Sequence, residues 1–100
     1  MVDLSICILT HNQPKILPLC VASCFMEIDR ARIAGEVIVV DNASVDKYPE
    51  RLAETYPDIR IIRTEQNLSF SVANNRGIQA SCGRYVLILN DDAGLSTHSG

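Results

Sequence analysis

Tyr85-Val-Leu-Ile-Leu-Asn-Asp-Asp92 is a short apolar run that stops on a polar triplet. Its leading residues have strand propensity and are apolar on both faces, as in a central parallel strand. Asn90, Asp91 and Asp92 then fall at the carboxyl end of that strand, where open α/β sheets bind ligands. Adjacent carboxylates repel unless a cation or hydrogen-bond donors offset the repulsion. Hard oxygen ligands of this kind suit Mg²⁺ or Mn²⁺, above all where substrate phosphates share the metal. Asn-Asp-Asp is also ordinary turn chemistry, so the triplet takes its meaning from what the rest of the chain brings beside it.

Before it, Ser71 to Ser81 reads as a helix, with Val72 and Ala73 set against Ile78 and Ala80. Gly83 suits the left-handed position just past that helix. Ile59-Arg-Ile-Ile-Arg63 is a strand whose alternation with arginine places it toward an edge, and Glu65 to Phe70 is a loop. Pro49 starts a short helix to about Thr55, with Leu52 and Tyr56 inward, and Pro57-Asp58 stops it. Glu36-Val-Ile-Val-Val40 is a buried, β-branched strand, followed by the polar loop Asp41 to Asp46. At the start of the chain, Leu4 to Leu9 is the first strand and Thr10-His-Asn12 ends it. Pro14 fits the opening of a helix to about Ile28. Ile16, Cys20, Cys24 and Ile28, with Leu17, Val21 and Phe25, make its apolar stripe. Residues 29–35 connect it to the next strand, and 93–100 form a patternless tail after a domain spanning 1–92.

This β-α-β-α-β-α-β order predicts an α/β protein of three layers, with helices on both faces of a parallel sheet. Right-handed crossovers running outward and then returning give the strand order 3-2-1-4. The direction reverses between the first and fourth strands. Thr10, His11 and Asn12 meet Asn90, Asp91 and Asp92 at that crevice, and Asp41 and Asn42 end the neighbouring strand. Three strands of independent pattern thus deliver polar groups to one rim.

Net charge is −3 with no basic block, which argues against nucleic acid or an anionic membrane as partner. No apolar run reaches a membrane span, and the first residues lack the charged start of a signal peptide. Cys7, Cys20, Cys24 and Cys82 lie in apolar patterns without a Cys-x-x-Cys. Cys20 and Cys24, one helical turn apart, could share a metal but read better as a pair of buried small hydrophobes, and the set as a whole fits a reducing, cytoplasmic setting.

Neither a dinucleotide fingerprint nor a phosphate-cradling glycine loop follows the first strand. Phosphates would then be held by a metal on Asp91 and Asp92, or by Arg76, which serves equally as a solvated helix charge. Asp41 suits either a nucleobase ring N–H or a cap on its own loop. Thr10 and Asn12 are open to the same two readings. Asp46 serves the turn before Pro49. His11 and His98 receive no catalytic role.

Four segments, Ser5 to Asn12, Val37 to Ser44, Asn67 to Ile78 and Tyr85 to Asp92, resemble in order and spacing the family 2 glycosyltransferases, in particular their rhamnosyltransferase-like branch. The resemblance implies a Rossmann-like half of a GT-A fold and a UDP-, GDP- or dTDP-linked sugar donor. Thr10, Asn12 and Asp41 would contact the base and ribose side of the nucleotide, with Asn42 and Arg76 also among the substrate-binding residues. Asn90-Asp-Asp92 would replace the family's Asp-x-Asp, with Asp92 on the metal, Asp91 beside it and Asn90 toward the ribose. Ser69 stands where the family usually has glycine, which strains the loop if that position needs positive φ.

The family's reaction is inverting displacement at the anomeric carbon by an acceptor hydroxyl, with a carboxylate base from beyond the Asp-x-Asp strand. Residues 93–100 hold no Asp or Glu. The expectation is therefore a donor-binding part that lacks the acceptor half, with weak donor affinity and no turnover alone. Its fourth strand would form an exposed edge through which the chain self-associates. A non-catalytic nucleotide- or sugar-binding module is the alternative. A phospho-acceptor domain would need an aspartate where Arg63 and Thr64 end the third strand, and a nucleotidyltransferase would need the absent glycine loop.

Overall fold

In a computed structural model the chain is described over residues 2–45, 48–66 and 68–90. Four strands alternate with three helices: β1 Leu4–Thr10, α1 Ile16–Ala31, β2 Gly35–Asn42, α2 Tyr48–Thr55, β3 Arg60–Thr64, α3 Phe70–Ala80 and β4 Tyr85–Asn90. Every pairing is parallel, and the order is β3-β2-β1-β4. The β1–α1–β2–α2–β3 path moves outward on one face, and α3 returns across the other to set β4 beside β1.

The alternation along β2 builds both faces. Val37 and Val39 join Ile6, Ile8 and α1's Leu17, Cys20, Val21 and Cys24 in the larger core. Tyr48 and Leu52 of α2 complete it, and Phe25 stacks on Tyr56 with ring centroids 4.7 Å apart. Val40 and Leu9 face the opposite way, onto Ala73 of α3. Gly77, one turn beyond Ala73, brings α3 so near the sheet that a Cβ there would lie 3.1–3.2 Å from Val40 and Cys7. An alanine there would require Val40 or Cys7 to give by a few tenths of an ångström.

Several boundaries differ from the sequence expectation, each for a local reason. α1 starts two residues after Pro14 and runs past Ile28 to Ala31. It ends where Arg32 turns left-handed at φ 55° and its N–H returns to the Asp29 carbonyl. Ile16, expected on the buried stripe, is exposed. α3 buries Ala73, whereas Val72 and Ile78 are exposed. Ser69 has φ −63° and caps α3, its hydroxyl accepting from the Val72 N–H, so serine there carries no strain. Gly83 is not a helix cap, because Ser81 closes α3 in extended conformation. Gly83 instead passes so close to β1 that a Cβ would lie 2.6 Å from the Ser5 nitrogen.

That close approach belongs to a polar clamp at the amino-terminal end of the sheet. The Ser5 hydroxyl donates to Glu36 Oε2 at 2.6 Å and accepts from the Gly83 N–H at 2.8 Å. The Cys82 N–H also donates to Glu36, at 2.7 Å, and Arg60 pairs with its other oxygen. All four strands, or the loops that feed them, are tied there. Burial alone would raise the Glu36 pKa. Hydrogen bonds from Ser5, the Cys82 N–H and Arg60 outweigh it and hold the carboxyl below its ordinary value. Cys82 is exposed beside this clamp, unlike the other three cysteines.

Candidate functional site

Because the strands are parallel, their carboxyl ends share one rim. The register sets Thr10 beside Asp41, Asp41 beside Arg63, and Leu9 beside Asn90. Asp91 and Asp92, the expected metal ligands, lie outside the described residues, as does Asp46. Among the described residues no three His, Cys, Asp or Glu side chains gather as a metal site.

Thr10 and Asp41 point to the α1/α2 face, and both are fully buried. Asp41 Oδ1 accepts from the Ser44 N–H at 3.1 Å, and Oδ2 receives Arg63 at 2.7 Å. Arg63 also donates to the Ser44 carbonyl at 2.6 Å and lies 3.6 Å from Glu50. A carboxylate with two oxygens can accept further donors, but here none reaches it without movement of Arg63 or the Ala43–Val45 turn. That turn holds Ala43 at φ 57°.

Tyr48 joins two loops beneath this rim. Its hydroxyl lies 2.7 Å from Thr10 Oγ1, 2.8 Å from the Gln13 nitrogen and 3.2 Å from Ser44 Oγ. Asn12, left-handed at φ 53°, donates its N–H to Ser44 Oγ at 2.9 Å, and its Oδ1 accepts from the Val45 N–H at 2.8 Å. His11 Nδ1 donates to the Asn42 carbonyl at 2.6 Å, which leaves Nε2 to accept from the Asn12 amide at 3.2 Å. The loop after β1 is thus stitched at His11 and Asn12 to the end of β2 and the loop after it, and at Gln13 to Tyr48.

Asn42 points to the α3 face, where its side chain reads like a backbone partner. Oδ1 accepts from the Leu68 N–H at 2.8 Å, and Nδ2 donates to the Leu68 carbonyl at 2.9 Å. Arg76 is exposed and lines, with Arg63, Thr64, Glu65, Gln66 and Leu68, a polar cavity of about 300 Å³ at the end of β3. The rim therefore gathers Thr10, Asn12, Asp41 and Asn42 closely, with Arg76 on the α3 side near the end of β3. Arg63 and Tyr48 are members that the sequence pattern alone does not supply. Pairing the ends of β2 and β3 in register exposes Arg63 as Asp41's neighbour. Tyr48 gave no signal beyond being an aromatic with a polar tip.

Comparison with known proteins agrees with this architecture. The profile of the family described as Glycosyl transferase family 2 matches residues 5–98. A TPR repeat-containing protein of Synechococcus elongatus is 30% identical over 95 residues, 95% of this chain and 22% of its own length. The uncharacterized glycosyltransferase YibD of Escherichia coli is 37% identical over 62 residues, 59% of this chain and 18% of its own. The chain thus spans about a fifth of these relatives. Among solved structures, S. aureus TarS superposes with TM-score 0.76 at 20% identity, covering 91% of this chain and 28% of that one. A Pyrobaculum calidifontis mannosyltransferase in complex with GDP-Man and Mn²⁺ gives TM-score 0.73 at 29% identity, covering 92% and 28%. With nearly its whole length inside the family profile and a sheet in GT-A order, this chain belongs to glycosyl transferase family 2.

Proposed function

We propose that this chain is the donor-binding part of an inverting glycosyltransferase that moves a sugar from a nucleotide diphosphate to an acceptor hydroxyl. The observation that carries the reading is the register, which aligns the ends of β1, β2 and β4 on one rim at the point where strand order reverses. The GDP-Man and Mn²⁺ in the mannosyltransferase neighbour support the same ligand class. Thr10 and Asn12 would lie on the base and ribose side, and Asp41 would meet the base once Arg63 or the Ala43–Val45 turn moves away from it. Asn42 would act by holding the loop at Leu68. Asn90 would lie toward the ribose and Arg76 near the phosphates.

Asp92, with Asp91, would hold Mg²⁺ or Mn²⁺, since hard carboxylate oxygens suit both. A bound divalent ion offsets charge on a departing diphosphate. No residue of the chain is assigned as the base, and residues 1–100 alone are expected to bind donor without turning it over. The outer edge of β4 carries the exposed Tyr85, Val86 and Ile88 and no lysine or proline, the usual guards of an open edge. We assign self-association to that edge.

The test is titration of residues 1–100 with UDP-, GDP- and dTDP-sugars, with and without Mn²⁺, following the amides of Thr10, Asp41 and Asp92. Saturable, Mn²⁺-dependent shifts abolished by Asp92→Ala are expected. Shifts unaffected by that substitution overturn the metal assignment. No binding of any of the three donors overturns the reading.

A further inference from the structure

We propose that Tyr48 is a positioning residue for donor binding, its hydroxyl fixing the loop after β1 in the one conformation the donor meets. The inference rests on the reading above but starts from the contacts of one hydroxyl. The Gln13 N–H donates to the Tyr48 oxygen. The same hydroxyl shares hydrogen bonds with Thr10 Oγ1 at 2.7 Å and with Ser44 Oγ at 3.2 Å, and either oxygen of each pair can donate. Ser44 Oγ in turn accepts from the Asn12 N–H. One network thus runs from Asn12 through Ser44 and Tyr48 to Thr10 and Gln13. Tyr48 and Ser44 are buried, so no water substitutes cheaply for a missing member.

This arrangement has a consequence for phosphate. Where a glycine-rich loop offers its backbone N–H groups to a ligand, this loop turns those of Asn12 and Gln13 inward to Ser44 and Tyr48, and Pro14 has none. The Asn12 and Gln13 N–H groups are thus satisfied inside the fold and do not face an anion, and the shape of the loop depends on one hydroxyl contributed by α2. Without that hydroxyl, the Gln13 N–H beside left-handed Asn12 loses its partner.

Tyr48→Phe keeps the buried ring and deletes the hydroxyl. Its affinity for the tightest-binding of the three donor sugars, measured with Mn²⁺, should fall about tenfold. Exchange of the Gln13 amide without ligand should accelerate by a similar factor, about tenfold. Glu36→Gln, at the opposite end of the sheet, serves as the control for lost stability. It should lower the unfolding midpoint while leaving donor affinity and Gln13 exchange unchanged. Wild-type affinity in Tyr48→Phe overturns the proposal, as does equal loss of affinity in Glu36→Gln. If the wild type binds none of the donors, the family-based reading fails. Gln13 exchange then decides the loop-fixing claim, and an unchanged rate in Tyr48→Phe overturns it. Should Tyr48→Phe not fold, Ser44→Ala removes the neighbouring link and is read by the same two measurements.

Discussion

Arg63 lies between Asp41, the Ser44 carbonyl and Glu50, and its own side chain is about one-third exposed at 32%. Arg63→Ala leaves the Asp41 carboxylate buried without its cation. Breaking a fully buried pair costs roughly 3–5 kcal/mol, and partial exposure reduces this to about 1–3 kcal/mol. A urea titration should show that loss as a lower midpoint at unchanged slope. Arg63→Lys should recover only part of it, because an ammonium cannot serve the carboxylate and the carbonyl in the same fork. Thr10 and Asp41 were legible as rim residues because each directly follows an apolar run, and Asn12 because it closes the polar triplet after the first. Their partners were not, since Arg63 and Tyr48 arrive from β3 and α2 and become neighbours only through strand register.

At the scale of elements, the Glu36 clamp sets an acid limit on the fold. Its folded pKa lies below the ordinary value of 4.5, so the unfolded chain takes up the proton first. The stabilisation is complete above about pH 4.5 and is lost as pH falls through the folded value. Thermal melts from pH 6 to about pH 3 should show a shallower decline for Glu36→Gln than for wild type. The edge of β4 gives a second element-level prediction. Sedimentation at rising concentration should show association that Ile88→Lys weakens, while monomer at every concentration counts against the edge as an interface. Helix and strand order was legible from periodicity. Helix ends and glycine roles were less so, because Arg32's turn depends on backbone geometry and Gly83's role on its nearness to Ser5 across 78 residues of sequence.

The whole molecule separates its thiols by position. Cys7, Cys20 and Cys24 are buried and Cys82 is exposed. The Cys24 thiol is pushed up by its hydrogen bond with Cys20 and then by burial, and Cys7 first by burial. Thiol titration of the native chain should therefore show one fast group, with the remaining three reacting only on unfolding. The three-layer order and the 3-2-1-4 sheet were readable from alternation and handedness alone. The exposure of Cys82 was not, because it follows from the loop that carries the chain into β4.

The Ser5–Glu36–Arg60–Cys82 network and the rim stand at opposite ends of strands roughly 20 Å long. Substitutions so far apart, sharing no partner, combine nearly additively. Anyone redesigning the nucleotide preference proposed for the upper ledge can therefore first reinforce the lower one, banking thermal tolerance before spending it on a new specificity.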